Sequence, residues 1–101
     1  MRPPGGGAPV LPGGAARKRA KKHELSGALV LESGKSWPEA DVETAEAIGF
    51  LEFYAREMLR WGGEIPVTPY PGEFPETLYV PLGAGAVIPP WNFPNAILTG
   101  M

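Results

Sequence analysis

The sequence predicts an α/β unit, and three observations predict it. Apolar residues recur at spacings of three and four along two stretches, one ending at Gly34 and one running from about Trp37 to Trp61. Two short runs of branched and small residues, Thr77 to Val80 and Ala84 to Ile88, have the look of strands. A turn follows the second run, and a further helix begins at about Ala96. Helical and extended periods thus alternate along the chain, as in α/β units.

The first helix opens on the basic run Arg17-Lys18-Arg19-Ala20-Lys21-Lys22, which reads as its solvated start. The alternative, a nucleic-acid patch, rests on this run alone. Leu25, Ala28, Leu29 and Leu31 form the apolar stripe. Gly34 is placed to stop the helix. The second helix begins on Ser36-Trp37-Pro38-Glu39, the pattern of a capping box, with Pro38 in a first turn where a missing amide proton costs nothing. One face carries Ala47, Ile48, Leu51, Tyr54, Ala55 and Met58; another carries Glu46, Gly49, Phe50 and Phe53. Two apolar faces on one helix exceed what so small a domain can cover. Gly62-Gly63 ends it.

Residues 64 to 81 hold Pro66, Pro69, Pro71, Pro75 and Pro81, with the first β-prone run among them. Ala84 to Ile88 reads as a buried strand. Pro89-Pro90 closes it, and Trp91 to Pro94 form a turn. The final helix reaches Met101 without a capping residue, so the sequence is expected to be a piece of a longer fold.

Length and composition narrow the function. A chain of 101 residues allows at most one small domain. Residues 1–16 are low in complexity, rich in Pro, Gly and Ala, and are expected to form a disordered tail; translation of GC-rich DNA in a shifted frame would give the same composition. Nine basic and eleven acidic residues leave a net charge of −2, which favours neither nucleic acid nor an anionic membrane. No cysteine is present, so disulfides, Cys-ligated zinc and a cysteine nucleophile are excluded within the chain. His23 is the single histidine, which excludes a multi-histidine metal site. The longest mostly apolar stretch, Leu82 to Pro90, is far short of the ~20 residues that span a bilayer. A cytoplasmic location is the expectation.

Gly83-Ala84-Gly85-Ala86-Val87-Ile88 has the first two glycines of a dinucleotide fingerprint, but its sixth position is Ile88 and the glycines precede the strand. A turn leading into a strand is the better reading. The turn that follows lies at the carboxyl end of that strand, where α/β proteins place ligands. Asn92 stands in it between Trp91 and Phe93. Its amide could donate to a developing oxyanion, or serve only as a local hydrogen-bonding residue of the turn.

Ile88-Pro89-Pro90-Trp91-Asn92-Phe93-Pro94 resembles the I-[STA]-P-W-N-F-P segment of the aldehyde dehydrogenase superfamily, and Pro81-Leu82-Gly83 resembles its lead-in. Leu31 to Ala40 is similar to the family's E-x-G-K-x-x-x-E-A segment. Ala45 to Ala55, with Tyr70-Pro71-Gly72-Glu73, resembles the L-glutamate γ-semialdehyde dehydrogenase branch. The resemblance covers about residues 17–101 as part of an NAD-binding domain. It implies two helices, an oligomerisation-type strand, and the first strand and turn of that domain.

By the same resemblance, Asn92 would be the oxyanion-hole amide. Ile88, Pro89, Pro90 and Trp91 would line an NAD site, mainly through backbone. Phe93 would pack on the substrate's aliphatic part, and Glu46 would face its amino group; without the resemblance, Glu46 reads as a solvated helix carboxylate. The implied reaction is oxidation of L-glutamate 5-semialdehyde to glutamate with NAD, in proline catabolism, by a homo-oligomer. The catalytic Cys, the general-base Glu and a later glycine-rich cofactor segment would lie beyond Met101, so the chain is expected to be inactive alone. Three positions depart from the pattern. Pro89 stands for Ser, Thr or Ala, Gly49 for Asp, and Asn95 for an aliphatic residue. The alternative function is a non-catalytic remnant that binds a full-length relative.

Overall fold

The computed structural model describes residues 9–101. They form four helices: α1 (Val10–Ala20), α2 (Lys22–Ser33), α3 (Trp37–Trp61) and α4 (Ala96–Gly100). Helix α3 is the axis, and α1, α2 and α4 all pack against it. Residues between α3 and α4 form an extended arm. The molecule measures 62 × 25 × 24 Å, and its radius of gyration of 17.9 Å exceeds the ~13 Å of a compact chain of this length.

Helix α1 corrects the expected tail. Residues 1–8 of that tail lie outside the described residues, but helix begins at Val10. Pro12 falls in the first turn, where no intrahelical bond is lost. Ala15 is buried, and a Cβ built on Gly14 would meet Leu51 Cδ1 at 3.4 Å. Small side chains therefore let α1 lie close on α3, and that packing outweighs poor local propensity. Arg17, Lys18 and Arg19 occupy the last turn of α1, the negative end of its dipole. The basic run thus straddles two helices, with the break at Lys21 (φ −108°, ψ 20°), and does not open a single one. Three of its side chains find partners on other elements: Lys18 donates to Asn95 Oδ1, Arg19 meets Glu52 at 2.6 Å, and Lys22 meets Asp41 at 2.7 Å.

Helix α2 ends at Gly34, whose φ of 66° is left-handed and whose N–H donates to the Val30 carbonyl, as its position predicts. Its buried face differs from the expected stripe. Leu29 is buried and Leu25 half-buried, but Ala28 and Leu31 face solvent. The inward positions go to Ser26 and Leu29 because Ser26 has a partner across the interface. Ser26 Oγ lies 3.0 Å from Thr44 Oγ1 and 2.9 Å from the Lys22 carbonyl; Thr44 Oγ1 lies 2.9 Å from the Ala40 carbonyl. The two hydroxyl protons make two of these three contacts hydrogen bonds at a time, and each buried hydroxyl has a carbonyl to donate to.

Helix α3 spans the predicted residues and carries the predicted capping box. The Glu39 carboxylate accepts from the Ser36 N–H at 3.0 Å and from its hydroxyl at 2.6 Å. Ala40, Glu43, Thr44, Ala47, Ile48 and Ala55 are buried along one stripe. Tyr54 and Met58, expected on that face, remain substantially exposed. On the second face only Phe50 is half-buried. Its ring lies against Gly100, where an added Cβ would sit 2.9 Å from Phe50 Cδ2. Gly49 meets nothing within 4 Å of a built Cβ. Gly49→Ala is therefore expected to stabilise the chain by about 1 kcal/mol, the propensity difference alone, read as a raised urea midpoint.

The predicted strands do not form. Among the described residues there is no strand, and Thr77–Val80 and Ala84–Ile88 are exposed in the arm. The α/β expectation is corrected to a helical unit with an extended arm. A strand's N–H and C=O groups need a neighbouring strand, and nothing in these residues offers one. The five prolines of residues 64–81 remove further donors. Local turn chemistry persists: the Glu73 N–H donates to the Tyr70 carbonyl at 3.1 Å across Pro71-Gly72, with Gly72 at φ 82°, a type II turn. Trp61 and Tyr79 meet edge to face at 5.6 Å and tie the arm to the end of α3.

Candidate substrate-binding cavity

The first half of α3, the α2–α3 link and the turn before α4 border an open cavity of about 510 Å³ lined by Lys35, Pro38, Glu39, Val42, Glu43, Glu46, Asn92 and Phe93. That volume is within the range of small-molecule pockets. Pro38, Val42 and Glu46 repeat every four residues, as do Glu39 and Glu43, so one face of α3 supplies five of the eight. Asn92 and Phe93 come from the turn across 46 or more residues of sequence. The contact between α4 and α3 carries that turn onto the α3 face.

Three carboxylates and one ammonium line the cavity. Glu43 is 2% exposed. Burial pushes its carboxyl up, but the bonds from Lys35 and from the backbone N–H groups of Asn95 and Ala96 outweigh this and hold it below its ordinary value of 4.5. The Asn95 N–H lies 2.8 Å and the Ala96 N–H 3.2 Å from Glu43 Oε1, and Lys35 Nζ meets Oε2. Lys35 also lies 3.9 Å over the Phe93 ring. The Ser36 hydroxyl, then its N–H, hold Glu39 below the usual carboxylate range. Glu46 is exposed, on the open side of the cavity. With Lys35 engaged by Glu43, the cavity carries an excess of negative charge suited to a cationic group, and the Asn92 amide supplies a donor.

Three of the residues singled out in the sequence, Glu46, Asn92 and Phe93, therefore meet at one cavity. The other four do not join them. Ile88 and Trp91 are 88% and 84% exposed, Pro90 is exposed and Pro89 half-buried. Pro89 and Pro90 have no amide proton to offer a phosphate or carboxamide. As arranged here these residues form no cradle for a dinucleotide, and no chemical step is derived through one. Glu43 and Lys35 were not singled out. The signal for Glu43 lay in its register: it sits three residues after Ala40 and four before Ala47, on the stripe that is buried. Lys35 stood only as the Lys of the E-x-G-K-x-x-x-E-A segment, with no role attached to it. Among the described residues no group of His, Asp and Glu has the arrangement to hold a metal ion, and no helix is long and apolar enough to cross a membrane.

The chain is 55% identical over 93 residues to a 1-pyrroline-5-carboxylate dehydrogenase of Anoxybacillus flavithermus, covering 92% of this chain and 18% of the relative. It is 53% identical over 93 residues to the enzyme of that name from Geobacillus sp., with the same coverage. It is 52% identical over 94 residues to that of Bacillus mycoides, covering 93% of this chain and 18% of the relative. The chain thus spans about a fifth of the length of these relatives. No solved structure matches it. The aldehyde dehydrogenase family pattern matches residues 10–101, from the first residue of α1 through the cavity and α4, and the chain belongs to that family.

Proposed function

We propose that the chain supplies one wall of the substrate site of an enzyme that oxidises L-glutamate 5-semialdehyde, the open form of 1-pyrroline-5-carboxylate, to L-glutamate. The supporting observation is the convergence of Glu46, Asn92 and Phe93 on a single cavity of substrate size. In this reading Glu46 faces the substrate's ammonium group, Phe93 packs on its methylenes, and the Asn92 amide donates to the oxygen that becomes negative when a thiolate adds to the aldehyde carbon. The chain has no cysteine, so the thiolate comes from outside these 101 residues and the chain alone is inactive. NAD as the electron acceptor and a cytoplasmic homo-oligomer belong to the same reading, in which Ile88, Pro89, Pro90 and Trp91 would border NAD only with further segments packed around them.

The test is a graft. Residues 10–101 replace the matching segment of the Anoxybacillus relative, and turnover of 1-pyrroline-5-carboxylate is measured beside the isolated chain. The expected result is an active graft and an inactive chain. An inactive graft that folds and assembles normally would count against the reading, as would turnover by the isolated chain.

A second reading, a non-catalytic chain that pairs with a full-length relative, is favoured by the arm, where Phe74, Tyr79, Val80 and Leu82 stand open to solvent. Extended backbone of this kind adds readily to another sheet edge. Co-purification with the full-length relative, abolished by deleting residues 64–81, is its expected result.

A further inference from the structure

Beside the part of the cavity wall that carries Asn92, two further lining residues, Lys35 and Glu43, form an ion pair. Glu43 heads the fully buried side chains by size, and both its oxygens are used. Oε1 accepts from the N–H groups of Asn95 and Ala96, donors at the start of α4 that have no partner within that helix. Oε2 takes Lys35 Nζ, and the Lys35 side chain is itself largely buried. A buried carboxylate persists only when paired and hydrogen-bonded in this way.

The pair grips the turn from two sides. Through Glu43 it holds the backbone just after Pro94, and through Lys35 it holds the Phe93 ring just before. Asn92 makes no side-chain hydrogen bond among the described residues, so the backbone of the turn sets its position. The other charged groups near Glu43 leave this grip intact. Glu39 is occupied by Ser36, Glu46 faces the open side, and Lys18 of α1 donates to the Asn95 side chain from the other flank.

We infer that Glu43, through its pair with Lys35, is the positioning residue that fixes the turn presenting Asn92 to the cavity. This rests on the reading of Asn92 as the oxyanion donor, and it assigns the carboxylate a positioning task, its oxygens being taken by protein donors. A charge is used there because one carboxylate can satisfy two backbone donors and an ammonium together, which no neutral side chain of that size does.

The test uses the isotopically labelled 101-residue chain and its Glu43→Ala and Glu43→Gln variants, with amide protection factors and the Asn92 backbone resonances as readouts. In Glu43→Ala, Asn95 and Ala96 are expected to lose at least about tenfold in protection, as befits loss of a charged acceptor, while Thr44 and Ala47 keep theirs. The Asn92 backbone signals are expected to shift toward their random-coil positions as the turn is released. Glu43→Gln keeps an acceptor and is expected to restore part of the protection and the Asn92 signals. The pH profile separates charge from shape. The native carboxyl is held below 4.5, so the grip is complete above that value and is lost as pH falls through the depressed one. The Gln variant should show no such step.

Unchanged protection at Asn95 and Ala96 in Glu43→Ala would overturn the inference. So would loss of protection with the Asn92 signals unmoved, since Glu43 would then hold α4 alone. If Glu43→Ala unfolds throughout, the Gln variant decides: intermediate, pH-independent protection supports the inference, and protection equal to the native chain defeats it. None of these readouts involves turnover, so failure of the oxyanion reading is detected separately, in the graft.

Discussion

In the grafted enzyme, Asn92→Ala is expected to lower kcat by about 10²–10³ with little change in KM. A donor aimed at an oxygen that becomes fully negative only in the transition state contributes mainly there, and removing one such donor from an oxyanion site costs rates of that order. Glu46→Gln provides the contrast. It removes charge from a group assigned to the substrate's ammonium, an interaction present before and during reaction, so KM is expected to rise about tenfold with kcat nearly kept. The two side chains line one cavity, yet the kinetic signatures separate their tasks. Steady-state kinetics on both variants checks this. An Asn92→Ala enzyme within a few-fold of its parent would remove Asn92 from the oxyanion role.

Ile48→Ala is expected to destabilise the isolated chain by about 2–4 kcal/mol, enough to leave much of it unfolded. The described core explains the size of the effect. Its buried apolar members are Ala15, Leu29, Ala40, Ala47, Ile48, Ala55 and Ala96, so Leu29 and Ile48 are the only large ones. Small residues at the helix contacts allow close approach, but they contribute little apolar area each. Truncating either large side chain leaves a cavity that the surrounding alanines cannot collapse to fill. Leu29→Ala is expected to behave alike, whereas Leu31→Ala, at a site 87% exposed on the same helix, should stay within about 0.5 kcal/mol of the native chain. Urea unfolding followed by circular dichroism measures all three, and an equal response at Leu29 and Leu31 would refute this account of the core.

The helices were legible wherever local chemistry ends or begins them. Gly34 can take a left-handed φ, the Ser36–Glu39 box satisfies its own donors, and Gly62-Gly63 follows the last turn of α3; each acts within a few residues of itself. The turn at Tyr70-Pro71-Gly72-Glu73 is local in the same sense. The site residues Glu46, Asn92 and Phe93 were legible through the family segments in which they stand, and the structure places all three on one cavity.

What the sequence by itself determined, then, is where this chain turns, caps and stops, because those interactions close over short distances. Tertiary structure alone decided the rest. Val10–Ala16 became helix because α3 offers a face close enough for Gly14 and Ala15. Thr77–Val80 and Ala84–Ile88 did not become strands because a strand's hydrogen bonds belong to two segments, and no second segment lies beside them here. The register of Glu43 with Ala40 and Ala47 pointed inward, but what it holds was decided only when α4 and Lys35 closed over it, since its partners lie 8 and 52 residues away.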